Sequence, residues 1–353
     1  MKLTTQVIDW LNIAFMLASA VAAYFLPFEV FLFAYAVLGP LHYLTEISWL
    51  HERKYFASGK YDYLWLLALT IALFVSVFLV PWREMARGQE TGRFVAAGIG
   101  YLAFLSALAM TIFHRPQAKF ACVACGLVLL FAVAQWPAYT IIFAIFLPTL
   151  IHVYVFTGLF ILYGALKSRS RPGLLSLGVF LACPIVLMFV HTDTGYAPSA
   201  YARQTYPLFA ELNATIYRLL GFPARDQAQF QDALYRSAVG LAIMRCIAFA
   251  YTYHYLNWFL KTSIIGWHRV SMRRLAVIGG LWLAAVGVYV YDYRIGFITL
   301  ATLSFLHVFL EFPLNHRSII GIATELRNRW RLAPESLAMA PALPKRMTEH
   351  SAS

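Results

Sequence analysis

The sequence predicts an all-α membrane protein, a polytopic bundle of about ten transmembrane helices with both termini cytoplasmic. Three observations carry that expectation. Hydrophobic residues fill 61% of the 353 positions and charged residues only 12%, about half the charged share of a soluble domain. The apolar residues gather into ten runs close to the roughly 20 residues that cross a bilayer as a helix. Lys and Arg concentrate at alternate ends of those runs.

The runs cover about 8–26, 28–50, 64–81, 94–113, 120–136, 139–165, 174–191, 237–260, 275–292 and 295–313. Pro27 and the pair Trp136–Pro137 end the two tightest hairpins, since proline cannot donate to the preceding turn. With the N-terminus inside, the inner segments hold 19 Lys and Arg and the outer loops 8, the asymmetry of the positive-inside rule. The net charge of +12 therefore follows from topology, and no nucleic-acid partner is expected. The first run is long and lacks a small-residue cleavage site, so no cleaved signal is expected either. Cys122 and Cys125 make a C-x-x-C inside a span and read as buried small residues rather than a metal or redox pair.

Residues 1–320 form one transmembrane domain on this reading. Its long outer segment, 192–236, contains YPLFAELNATIYRLLGF (Tyr206–Phe222). That stretch places Leu208, Leu212, Ile216, Leu219 and Leu220 near one face of a helix lying on the outer surface, either a lid or a connector. The cytoplasmic tail, 321–353, is rich in Pro, Ala and Ser after Arg331 and is expected to be disordered.

Ionisable groups are costly in hydrocarbon and generally face the bundle interior, where they pair or bind something. Four histidines fall deep inside runs: His42, His152, His254 and His307, on the second, sixth, eighth and tenth. All four runs pass from outside to inside. The histidines overlap in a band about 9–20 Å from the cytoplasmic surface, counting 1.5 Å per residue. Glu46 and Glu311 are the only deep carboxylates, each one turn after a deep histidine. The spacing H-x-x-x-E-x-x-x-x-H occurs twice, as His42, Glu46, His51 and as His307, Glu311, His316.

Imidazole with carboxylate suits iron, zinc or manganese. The expected site is a metal held by His42, His152, His254 and His307, with Glu46 and Glu311 either binding it or orienting histidine nitrogens. Fe(II) is the expected metal, with Zn or Mn as alternatives. His51 and His316 at the inner interface, and Tyr253 and Asn257 beside His254, are candidates to orient the ligands or gate the site. Arg245, deep in the eighth run, needs a partner: Asp292 or a backbone carbonyl. A proton- or metal-coupled transporter would use the same residue types, and a structural subunit would use histidines to join helices. No P-loop, G-x-G-x-x-G, G-x-S-x-G or H-E-x-x-H occurs, nor the eight-histidine pattern of membrane desaturases.

Four stretches resemble the Brp/Blh-type bacterial membrane enzymes that cleave β-carotene. These are Gly39-Pro40-Leu41-His42 with Glu46, Ile151-His152, Tyr253-His254-Tyr255, and Leu306-His307 with Glu311, followed by His316-Arg317-Ser318. The resemblance implies an oxygenase of the bacterial plasma membrane. A histidine-held non-haem iron would activate O₂ against a lipophilic, isoprenoid or carotenoid-like substrate reached from the lipid bilayer. The chain departs from the family at Tyr43 and Glu46, where the family has Gly and Asp. It also has one histidine in the third stretch where the family has two.

Overall fold

A computed structural model describes residues 5–85, 87–190, 196–222, 226–260 and 270–338. Among these there is no strand, and the elements are helices joined by short turns. We number them α1 (Thr5–Phe25), α2 (Pro27–Glu52), α3 (Asp62–Leu79), α4 (Gly88–Ile112), α5 (Pro116–Val133), α6 (Ile141–Ser168), α7 (Arg171–Phe189), α8 (Ala200–Thr205), α9 (Ala210–Leu219), α10 (Gln227–Arg236), α11 (Ala238–Leu260), α12 (Met272–Tyr291) and α13 (Tyr293–Ala338). Nine described helices are long and apolar enough to cross a membrane. Helices α10 and α11 pass the same test of length and composition together, as a pair bent by 68°, which brings the candidate spans among the described residues up to ten. Each expected run thus has a helix among the described residues.

Local chemistry sets the boundaries. Proline opens α2, α5 and α7 within their first turns, where its missing N–H costs nothing. Ser170, Asp226 and Ser271 accept the first free backbone N–H groups of α7, α10 and α12, which would otherwise lack partners.

The centre of the bundle is α11, buried along most of its length. It packs against α1, α2, α6 and α7. The other central element, α13, lies against α2, α3, α4, α6 and α12. Lipid is as apolar as leucine, so close packing and polar contacts rather than burial hold such helices together. Gly100 shows this: a Cβ there would lie 2.6 Å from the Phe143 carbonyl oxygen, so only glycine lets α4 approach α6 so closely. The peripheral α5 leaves Phe120 and Phe131 exposed. Cys122 and Cys125 on it are half-buried and exposed free thiols, not the buried pair expected.

Arg245 has backbone partners and not Asp292. Its guanidinium donates to the carbonyls of Tyr24 (3.0 Å) and Val190 (3.4 Å) and lies over the Tyr24 ring. These carbonyls end α1 and α7. One buried cation therefore caps the negative ends of two helices.

Three further expectations need correction. The last helix does not stop at 313 but continues to Ala338, so the tail begins as helix; residues 339–353 lie outside the described set. In the outer segment, Leu219 and Leu220 are exposed, and the buried side of α9 carries Leu212, Asn213, Thr215 and Tyr217. Finally, the start of α6 is not an α-helix. Ile141–Phe156 is a π-helix containing Pro148, with hydrogen bonds from i to i+5, a rare form that is frequent at functional sites. A shorter π turn, Ala34–Leu38, lies just before His42 in α2.

Candidate metal centre

The four deep histidines meet. His42 from α2, His152 from α6, His254 from α11 and His307 from α13 are all at most 5% exposed. Each offers a ring nitrogen, and these four atoms lie within 4.8 Å of one another. His152 Nε2 lies 3.1 Å from His307 Nε2. The His42 ring meets those of His254 at 4.7 Å and His307 at 5.3 Å, and His152 meets His254 at 4.8 Å.

The spacing suits one ion. At metal–nitrogen distances near 2.1 Å, two nitrogens on the same ion stand about 3.0 Å apart at right angles and about 4.2 Å apart when opposite. The 3.1 Å pair fits as it stands, and the widest separations close by about half an ångström.

Three of the four imidazoles have a carboxylate or hydroxyl against one ring nitrogen. Glu46 Oε2 lies 3.0 Å from His42 Nε2, one turn along the same helix. Glu311 Oε2 lies 2.9 Å from His152 Nδ1. It therefore reaches across to α6 and not to His307 on its own helix. Thr157 Oγ1 lies 2.8 Å from His254 Nδ1. Carboxylates or hydroxyls on the far nitrogen are the usual supports of metal-binding histidines, fixing tautomer and ring angle. The glutamates thus stand against imidazoles, outside the four-nitrogen group.

The π-helix explains how α6 supplies two of these groups. His152 and Thr157 are five residues apart, which an α-helix would turn about 140° from each other. The wider i to i+5 winding brings them towards a common side, so His152 and the hydroxyl that holds His254 come from one helix.

The other proposed residues stand elsewhere. His51 is exposed, with Nδ1 3.2 Å from the Tyr55 hydroxyl. His316 is buried, and its Nε2 pairs with the Phe104 carbonyl at 2.9 Å. That contact joins α13 to α4, with His316 as donor. Tyr253 points to α1, donating to Asn12 Oδ1 at 3.2 Å. Asn257 is buried one turn beyond His254. The matched H-x-x-x-E-x-x-x-x-H spacing therefore brings its first two members to the site and leaves the third outside it.

Aromatic residues complete the surroundings, among them Tyr251 and Trp258, which the sequence places around His254 as candidates to line a site. The Trp258 ring lies 5.6 Å from His42, and its indole N–H donates to Thr45 Oγ1 at 2.9 Å. Tyr255 lies 5.2 Å from the His42 ring, and Tyr43 lies 5.7 Å from that of His307. From Tyr255, ring contacts run outward through Tyr251 and Tyr35 to Tyr289 and Phe297. The last two line an open cleft of about 1600 Å³ at the outer end, beside Arg93, Glu211 and Arg294. Helix α9 forms part of its wall, held by Glu211 to Arg93 at 2.9 Å.

No protein-family model, curated protein or solved structure matches the chain. Fold and site together define its class: an α-helical membrane-type bundle with a buried four-histidine group able to hold a metal ion.

Proposed function

We propose that the protein is a metal-dependent oxidoreductase of the bacterial plasma membrane, an iron oxygenase acting on a lipophilic substrate. The observation that carries this reading is the four-imidazole group with carboxylates on two of its outer nitrogens. Its charge supports a divalent ion: neutral imidazoles with Glu46 and Glu311 carry −2, and a 2+ ion brings the buried set to zero. Imidazole suits iron, and a neutral site is the least costly form in a low-dielectric interior. The partial likeness to the Brp/Blh enzymes favours iron and O₂ over zinc.

When bound, iron supplies the redox chemistry that none of these side chains has. The chain's own part is positional. Glu46, Glu311 and Thr157 hold three imidazoles in fixed tautomers. Tyr43, Tyr255 and Trp258 keep water from the rings. The aromatic run through Tyr251 and Tyr35 offers an unsaturated, lipid-like molecule a path from the outer cleft. Ring–ring contacts of this kind are worth about 0.5–1.5 kcal/mol each beyond area burial.

Metal analysis of protein purified without chelators, with iron supplied, tests the reading. About one equivalent of iron is expected, and His42→Ala or His307→Ala should abolish it. Less than about a tenth of an equivalent of any transition metal overturns the proposal, because a built site of this kind binds by many kcal/mol.

A further inference from the structure

Tyr43 stands where no other residue of the centre's surroundings does. It follows His42 in the chain, so it leaves α2 about 100° from that ring. Its ring lies against that of His307, the ring planes 33° apart and the centroids 5.7 Å apart. The residue is 4% exposed. Its hydroxyl is buried and has no hydrogen-bond partner among the described residues. Two other polar groups beside the cluster are engaged, the Trp258 indole with Thr45 and the Thr157 hydroxyl with His254. A phenol left without a partner inside a protein loses its hydration for no return, and phenylalanine would fill the same space without that loss.

The charge of the centre gives the hydroxyl a use. With a divalent ion, Glu46 and Glu311 already bring the site to neutrality. Any small anion joining it then adds an uncompensated negative charge in a medium that screens poorly. A buried O–H donor offsets that charge without adding a cation.

We propose that the Tyr43 hydroxyl is the hydrogen-bond donor for a small anionic ligand admitted to the four-histidine centre. This rests on the metal-centre reading above. It makes Tyr43 a ligand-binding residue, with its ring as packing for His307 and its hydroxyl as recognition.

Azide is a suitable probe. Wild type, Tyr43→Phe and Tyr139→Phe are loaded with cobalt(II), whose visible absorption shifts when an anion joins it, and each is titrated with azide. Tyr139 is the control: it is also buried with its hydroxyl unpartnered, but it packs on Phe94 and Phe143, away from the cluster. Tyr43→Phe should keep its cobalt and its thermal stability but bind azide about 10- to 100-fold more weakly, the usual value of a hydrogen bond to a charged group. Tyr139→Phe should match wild type. Equal azide affinity in wild type and Tyr43→Phe overturns the proposal, as does a cobalt-loaded wild type that binds no azide. A wild type that takes up no transition metal overturns the metal centre itself, and the proposal with it.

Discussion

Replacing Glu311 by Gln removes one negative charge from the centre while keeping the side chain's shape. The carboxylate lies 2.9 Å from His152 Nδ1, with the two side chains 4% and 2% exposed. Water therefore does little to screen the pair. With a divalent ion bound, the substitution leaves the buried set at +1, and the imidazole exchanges a charged carboxylate acceptor for a weaker, neutral amide oxygen. Removing such a carboxylate typically weakens metal binding by about 10- to 100-fold, or about 1.4–2.7 kcal/mol. Competition between the protein and a chromophoric chelator for cobalt(II), run on wild type and variant in one detergent at one pH, reads this directly. A change below about twofold refutes the reasoning, because an idle carboxylate would give that. A loss above about a thousandfold also refutes it, by making Glu311 a direct ligand rather than the support of one.

Two more substitutions follow from the same geometry. Thr157→Val keeps the volume and removes the hydroxyl 2.8 Å from His254 Nδ1; metal affinity should fall about tenfold in the same competition. Arg245→Met strips the donor from the Tyr24 and Val190 carbonyls, and each carbonyl left alone costs about 1–3 kcal/mol. Its unfolding midpoint in detergent should drop clearly, while a variant as stable as wild type would show that the carbonyls had other partners.

The helical bundle was legible because composition decides it: a chain this apolar, broken at near-regular intervals by proline and basic turns, has few other folds. The depth of the four histidines was legible for the same reason, since each could be counted from the end of its run. The partner of Glu311 was not. Spacing placed it beside His307, but the side chain takes the neighbouring helix, and the rotation of α13 against α6 is set by packing from several helices at once. Thr157 was hidden for a deeper reason. Its place depends on the π winding of Ile141–Phe156, and the run IIFAIFLPTLIHVYVF is apolar on every side, so no periodicity betrays it. His51 and His316 misled because spacing repeats do not distinguish a helix face that meets the site from one that has turned away. Only the start of the tail, 321–338, departs from the expectation, being helical where disorder is expected. Its first residues, with Glu325 and Arg329 one turn apart, precede the Pro- and Ala-rich stretch, are good helix formers and carry α13 onward.

The centre is drawn from opposite ends of the chain. At about 5–20 residues per second of synthesis, His307 leaves the ribosome about 13–53 seconds after His42, some 265 residues downstream. No metal can be held by the full set until that last helix has joined the bundle, so loading follows assembly and does not guide it. The interval also gives a reason for the different placement of the two glutamates. Glu46 sits on the same helix as its histidine, so this pair can shield its polar atoms from lipid as soon as α2 inserts. Glu311 arrives last with α13 and finds its imidazole already waiting on α6.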